Sequence, residues 1–327
     1  MPWSVARRGR ATTAELPPLV VVGGATATGK TTLAIELARR LRGAEIVSAD
    51  SRQVYRGLDI GTAKATPAER AAVPHHGLDL VDPDAPFTAS DYRRVAIASL
   101  GGIAARGGLA FLVGGTGLYL RAVARGLPLD AGTTDAAVRT GLEDRLAADG
   151  LPALVAELEQ RDPVAATLLD RRNPRRVIRA LERAVLTGSG VPPRPVGYAG
   201  PVLWLGLVRE PAEHRQVIAA RVEEQFSAGL LDEAEGLRRR YREDLPAFSA
   251  MGYREAFEVL AGRRDLASAK AADAQRTWAY ARRQGTWFRS EPDIHWLSAG
   301  EGSVSRAWQV LAPFLRSLGR DDYAGEP

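Results

Sequence analysis

Gly24-Ala-Thr-Ala-Thr-Gly-Lys-Thr31 stands between the apolar run Leu19-Val-Val-Val22 and the segment Thr32-Leu-Ala-Ile-Glu-Leu-Ala-Arg-Arg-Leu41, in which Leu33, Leu37 and Leu41 recur every four residues. A short β-branched run, a glycine-rich turn and a helical period predict strand, loop and helix in direct succession. The eight residues fit G-x-x-x-x-G-K-[ST] and occur where that pattern has a mechanism, directly after a strand and opening a helix. Such a loop turns successive backbone N–H groups onto phosphate oxygens, and the helix N-terminus adds partial positive charge. Gly24, Ala25, Thr26, Ala27, Thr28, Gly29, Lys30 and Thr31 are therefore expected to bind phosphate, with Lys30 on a terminal phosphate and the Thr31 hydroxyl as a ligand of Mg2+.

Outward from this loop, strands are expected at Glu45-Ile-Val-Ser48, Gly77-Leu-Asp-Leu-Val81, Leu109-Ala-Phe-Leu-Val113, Val202-Leu-Trp-Leu-Gly-Leu-Val208 and Ile294-His-Trp-Leu297, with helical stretches such as 90–106 between them. This alternation specifies an α/β fold, a P-loop NTPase-like parallel sheet with flanking helices. From 128 to 201 the pattern changes to helices without strands, broken at Gly150, Pro163, Pro174 and Gly188-Ser-Gly-Val-Pro-Pro-Arg-Pro195. An all-helical domain inserted into the sheet is the expectation. The resulting division is a disordered tail at 1–18, a first part of the core at 19–127, the helical insertion at 128–201, core completion with C-terminal helices at 202–319, and a tail at 320–327.

The 327 residues allow two or three domains at about 100–200 residues each. Lys plus Arg is 44 against 39 acidic residues. Only Lys30, Lys64 and Lys270 are lysines, so 41 are arginines, the side chain suited to bidentate phosphate recognition and base stacking. Either a polyanionic partner or plain Arg usage accounts for that excess. No cysteine is present, which removes disulfides, thiol nucleophiles and Cys-ligated zinc. With no apolar leader and no run of 18 apolar residues, a cytoplasmic protein without a membrane partner is expected.

Asp50 ends the second strand at the C-terminal edge of the sheet, where ligands of open α/β folds bind. Ser48-Ala-Asp-Ser-Arg-Gln53 puts polar neighbours beside it, as a general base needs; a capping carboxylate is the alternative. The P-loop alone would suggest ATP or GTP. The strand at 109–113, however, leads into Gly114-Gly-Thr-Gly-Leu-Tyr119 and not into a Walker-B acid, and no Asn-Lys-x-Asp reads guanine.

Asp50-Ser-Arg-Gln-Val-Tyr-Arg-Gly-Leu-Asp-Ile-Gly-Thr-Ala-Lys64 resembles the tRNA dimethylallyltransferase (tRNA isopentenyltransferase) family. So do the phosphate loop, Pro74-His-His-Gly-Leu-Asp79, Val113-Gly-Gly-Thr-Gly-Leu-Tyr119, Asn173-Pro-Arg-Arg-Val-Ile-Arg-Ala-Leu-Glu182, Met251-Gly-Tyr253 and Arg282-Arg-Gln-Gly-Thr-Trp-Phe-Arg289, in the family's order from about residue 19 to 290. The resemblance implies that the loop holds the diphosphate of dimethylallyl diphosphate, with Mg2+. The five-carbon group would pass to N6 of the adenosine beside the anticodon (position 37) of tRNA, releasing diphosphate, and the family suggests a monomer.

By the same resemblance Asp50 is the base, and Arg221 joins Lys30 on the diphosphate. The residues matched to tRNA, through its anticodon stem-loop, are Asp50, Ser51, Arg52, Gln53, Thr116, Arg139, Asn173, Pro174, Arg175, Arg176 and Val177. Arg282 and Arg283 form a second basic segment interleaved with aromatics. Trp278 stands where the family usually has Arg. His75 and His76 match a family pair and are read as structural.

In the insertion, Arg172, Arg176, Arg179 and Arg183 are spaced four, three and four apart, with Arg171 and Arg175 beside them. This predicts a basic helix face opposite an apolar face of Val177, Leu181, Ala184 and Val185, a footprint suited to an RNA backbone or to a solvated helix. Three rival readings are a small-molecule or nucleotide kinase, a transferase acting on free adenine nucleotides, and a non-catalytic RNA-binding protein. The long Arg-rich insertion argues against the second, and an intact Gly29-Lys30-Thr31 with Asp50 argues against the third.

Overall fold

The computed structural model describes residues 16–129 and 134–320. The expected tails, apart from residues 16–18 and 320, lie outside the described residues. In chain order the elements are β1 (Leu19–Gly24), α1 (Lys30–Ala38), β2 (Ala44–Ser48), α2 (Pro67–Ala72), β3 (His75–His76), α3 (Ala89–Ala105), β4 (Leu109–Gly114) and α4 (Gly117–Ala124). Then come α5 (Ala136–Arg161), α6 (Pro163–Leu168), α7 (Pro174–Thr187), β5 (Val202–Val208), α8 (Pro211–Ser227), α9 (Leu230–Arg238), α10 (Tyr253–Leu260), α11 (Leu266–Arg289), β6 (Ile294–Ser298) and α12 (Ser303–Ser317).

The six strands form one sheet in the order β3-β2-β4-β1-β5-β6, and every pairing is parallel. β1 is central, with Val21 opposite Leu112 of β4 and Trp204 of β5. A parallel strand covered on both faces reads as a continuous apolar run, which is why Leu19–Gly24 shows no alternation. Leu19 and Val21 enter a core with Val47, Leu112, Tyr92, Leu100, Leu120 and Phe288. Val20 and Val22 point to the opposite core, built from Phe111, Leu205, Leu33 and Leu37 of α1 and Leu311 and Leu315 of α12. Each large apolar side chain so buried is worth about 1.5–3 kcal/mol.

The sheet's C-terminal edge therefore gathers three loops: the phosphate loop after β1, the Asp50 segment after β2 and the Gly115-Thr116 turn after β4. β1 has β4 on one side and β5 on the other, which makes this a topological switch point, where open α/β sheets bind ligands.

The chain folds as two compact units, one of residues up to Ala124 and from Tyr198 onward, the other Arg125–Gly197. Among the described residues the second unit has helices and no strand, with its own core of Leu142, Leu154, Leu158, Val177 and Leu181. α5 kinks at Gly150 (φ 78°, ψ 169°). Asp135, Asp162 and Asn173 cap α5, α6 and α7 through their side chains. No helix of the described residues is long and apolar enough to cross a membrane.

Two expectations need correction. Residues 77–81 are not a strand: β3 comprises only His75–His76, and Val81 makes a single bridge to Tyr55. The chain turns at Asp79 (φ 55°), whose carboxylate is taken by Lys64 at 2.7 Å and Arg70 at 2.8 Å, and that ion cluster replaces a ladder. Val185 does not join the apolar face of α7; it is 45% exposed, and Ile178 and Ala180 complete the buried face with Val177, Leu181 and Ala184.

Candidate active site

The phosphate loop leads into α1 with Gly29 at its N-cap (φ 85°), no side-chain cap and no acidic residue in the first turn. The first N–H groups of the helix are thus left for an anion, with the dipole favouring negative charge. Ala27 lies at φ 60°, the left-handed step that bends the loop into a nest. Thr28 Oγ1 donates to Ala25 O at 2.9 Å, and Lys30 Nζ reaches back to the same carbonyl at 2.6 Å. The Thr31 hydroxyl makes no hydrogen bond among the described residues.

Two further groups face this loop. Arg221 of α8 donates to Thr26 Oγ1 at 3.4 Å. Asp50, just past β2, accepts from Arg52 N at 2.8 Å and Gln53 N at 3.4 Å, both on Oδ1, so Oδ2 carries no hydrogen bond among the described residues. The three charges sense one another. Burial, then the Arg221 cation, push the Lys30 ammonium down to about 8, while Asp50 pulls it up. Burial likewise lowers the Arg221 guanidinium, against the pull of Asp50, Asp273 and Glu224.

Asp50, Ser51 and Arg52 share a cavity of about 260 Å³ with Thr26, Arg221 and Arg283. A second cavity of about 640 Å³ opens on Gly24, Ala25 and Thr28, with His214, Trp278 and Arg282. The phosphate loop and α11 line both, Arg283 facing the first and Arg282 the second. Trp278 packs edge-on against His214 at 5.5 Å and under the Arg215 guanidinium at 4.8 Å, so this ring has a packing role of its own.

Thr116 joins the loops: its Oγ1 accepts from Ser51 N at 3.0 Å, and its own N–H donates to Ala49 O at 3.2 Å. Arg52 Nη1 donates to Pro246 O at 2.9 Å. The Gln53 amide is spent within the protein, with Oε1 accepting from Ser48 Oγ at 2.8 Å and Nε2 donating to Thr62 O at 3.1 Å. His75 Nδ1 lies 2.7 Å from Val73 O and His76 Nε2 2.7 Å from Glu45 Oε2, so each ring has a partner within the protein.

Asn173 caps α7 by accepting from Arg176 N at 3.3 Å, and Pro174 starts the helix. Val177 is fully buried with its N–H bonded to Asn173 O, so its expected RNA contact is corrected to a seat in the unit's core. Arg139 is held by the buried carboxylate of Glu182 at 2.9 Å, and Arg179 binds the same group at 2.7 Å. Arg171 and Arg172 pair with Glu159 and Asp170, and Arg183 donates to Gly190 O. The six-arginine face therefore contracts: Arg175 and Arg176 alone are exposed with no side-chain bond or ion pair among the described residues.

Sequence reasoning passed over two groups. Buried Gln284 of α11 accepts from Thr26 N at 2.8 Å and donates to Gly115 O at 2.9 Å, tying the phosphate loop to the turn after β4. A Cβ on Gly115 would lie 2.3 Å from that amide, which accounts for one glycine of the Gly114-Gly115 pair. His214 Nε2 meets Thr26 O at 2.8 Å. Gln284 lies inside the basic segment 282–289, whereas a lone histidine on α8 carries no signal in the sequence.

The family model described as IPP transferase matches residues 53–291, and that described as isopentenyl transferase matches 17–79. A tRNA dimethylallyltransferase of Roseiflexus sp. (strain RS-1) is 48% identical over 294 residues, 88% of this chain and 95% of that protein. That of Anaeromyxobacter sp. (strain K) is 45% identical over 303 residues, 90% and 97% of the two chains. The solved full-length tRNA isopentenylpyrophosphate transferase of Bacillus halodurans superposes with a TM-score of 0.68 at 37% identity, covering 92% of this chain and 98% of its own. A eukaryotic dimethylallyltransferase acting on tRNA gives 0.78 at 25% identity, covering 92% and 80%.

Proposed function

The chain belongs to the IPP transferase family, and on that premise we propose that it transfers the dimethylallyl group of dimethylallyl diphosphate to N6 of the adenosine at position 37 of tRNA, releasing diphosphate. The observation that carries this reading is a phosphate loop whose Thr26 is met by Arg221 of α8 and lines one cavity with a carboxylate, Asp50. The allylic C–O bond breaks as the N6–C bond forms. Negative charge grows on the departing diphosphate, where loop amides, Lys30 and Arg221 stabilise it. An adenine amino group is a weak nucleophile, its lone pair being delocalised, so Asp50 takes the N6 proton as the bond forms. The base must leave its stack to reach this cavity.

The chain offers no cage for a metal: among the described residues no group of three or more His, Cys, Asp or Glu can hold one. The hydroxyl of Thr31 fits Mg2+, which takes one or two protein ligands and draws the rest from phosphate and water, and the unbonded oxygen of Asp50 stays available as the base. Bound there, Mg2+ would supply further charge stabilisation to the leaving group. The anticodon stem-loop is the expected macromolecular partner, met by a monomer in the cytoplasm.

The rival on this loop is phosphoryl transfer from ATP. Turnover of dimethylallyl diphosphate that requires tRNA, without ATP hydrolysis, supports the proposal; ATP hydrolysis with no such turnover overturns it.

A further inference from the structure

Two sequence motifs have no part in the chemistry just described, residues 58–64 and Met251-Gly-Tyr253, and they meet at a residue that neither contains. Glu233, in the first turn of α9, presents its carboxylate to three consecutive backbone N–H groups, accepting from Asp59 at 3.1 Å, Ile60 at 2.8 Å and Gly61 at 3.3 Å. Tyr253 Oη donates to the same carboxylate at 2.6 Å. Burial and the Glu233 charge push the Tyr253 phenol up, which keeps it a donor. Its ring lies so close under the loop that a Cβ on Gly61 would be 2.4 Å away. From α8, Gln225 Nε2 donates to Ile60 O at 2.8 Å and Gly61 O at 2.9 Å.

This loop has no ladder to hold it, and its amides would be orphaned without an acceptor. Charge-assisted bonds to one carboxylate are about twice as strong as neutral ones and fix a shape as well as a position. What they fix is a wall of the Asp50 cavity, since Gly61 and Thr62 line it. Gln53, in the segment that follows Asp50, then fastens to Thr62 O and Ala63 O.

We infer that Glu233, assisted by Tyr253 and Gln225, is a positioning residue that shapes the wall against which the tRNA base is received, an inference that rests on the transfer reaction proposed above. Among the described residues the Glu233 carboxylate is bonded by Asp59, Ile60, Gly61 and Tyr253 and by no residue of the phosphate loop. Its loss should therefore act on the nucleic-acid end of the reaction and spare the diphosphate end.

Steady-state kinetics with unmodified tRNA and dimethylallyl diphosphate test this in the full chain, comparing wild type, Glu233→Gln, Tyr253→Phe and Glu235→Gln. Glu235 is on the same helix and, among the described residues, pairs only with Arg238 and Arg239. Glu233→Gln turns an N–H2 toward the loop amides; the KM for tRNA should rise about tenfold to a hundredfold, as loss of a charged hydrogen-bond acceptor implies. The KM for dimethylallyl diphosphate should stay within about twofold. Tyr253→Phe should produce the same split at smaller size, and carries the test if Glu233→Gln does not fold; Glu235→Gln should match wild type. An active wild type whose variants change neither KM, or both KM values together, overturns the inference alone. A wild type that transfers nothing to tRNA overturns the functional reading and the inference with it.

Discussion

The side-chain Oε1 of Gln284 accepts a hydrogen bond from the backbone N–H of Thr26 at 2.8 Å, across 258 residues of sequence. Its Nε2 donates to Gly115 O at 2.9 Å, so one amide sets the spacing of the phosphate loop against the turn after β4. Gln284→Leu would keep the volume and leave both backbone groups unpaired, at about 1–3 kcal/mol each. A lower midpoint in urea unfolding and weaker binding of dimethylallyl diphosphate are expected; an unchanged midpoint would show that the two loops are held otherwise.

Asp50→Ala removes the proposed base and leaves Thr116 in place to hold Ser51. Turnover should fall about 10²–10⁴-fold, the usual size of general-base loss, with tRNA affinity in a filter or gel-shift assay nearly unchanged. Near-normal turnover would remove Asp50 from the chemistry.

Lys30 gives a pH dependence with a definite sign. Burial holds its ammonium at about 8 against an ordinary 10.5. Bound diphosphate favours the charged form, so affinity for inorganic diphosphate should be strongest below pH 8 and fall by up to about tenfold per pH unit above it. The unfolded chain keeps the proton to higher pH. Lys30 therefore destabilises the free protein below pH 8, and that penalty is relieved as pH rises from 8 toward 10.5. Calorimetric titrations from pH 7 to 10 check the first claim, and Lys30→Arg, always charged, should flatten the curve.

In the helical unit, Glu182 and Arg175 separate stability from binding. Glu182→Ala takes the shared carboxylate from Arg139 and from the Asp135 N–H, and loss of such hydrogen bonds to a charged group costs about 1.5–3 kcal/mol, measurable by thermal unfolding. Arg175→Ala with Arg176→Ala should leave stability alone and lower the salt slope of tRNA binding by about 1.4–1.8 if each arginine meets one phosphate. An unchanged slope would remove this helix from the RNA contact.

The legible parts of this molecule were those written in local pattern. The strand at Leu19, the loop ending in Lys30 and the placing of Asp50 follow from apolar runs and a motif with a mechanism, and the structure adds little to them. Where a side chain's fate depends on a distant partner, spacing misled: Arg179 and Arg183 share a period with Arg176 but turn to Glu182 and Gly190, and Val185 has the right period yet is 45% exposed. Residues 77–81 read as a strand because Leu80 and Val81 are apolar, yet Lys64 and Arg70 pin Asp79 in a turn. Gln284 and Glu233 act on backbone groups across long separations, a role with no sequence signature, since backbone carries no residue identity.

The central claim is tested most directly by incubating the protein with labelled dimethylallyl diphosphate, Mg2+ and unmodified tRNA, then digesting the tRNA and separating its nucleosides. The account predicts label in an N6-alkylated adenosine at position 37, abolished by Lys30→Ala and reduced at least about a hundredfold by Asp50→Ala. Label that stays in diphosphate form, or that appears on free adenine nucleotides and not on tRNA, would contradict it.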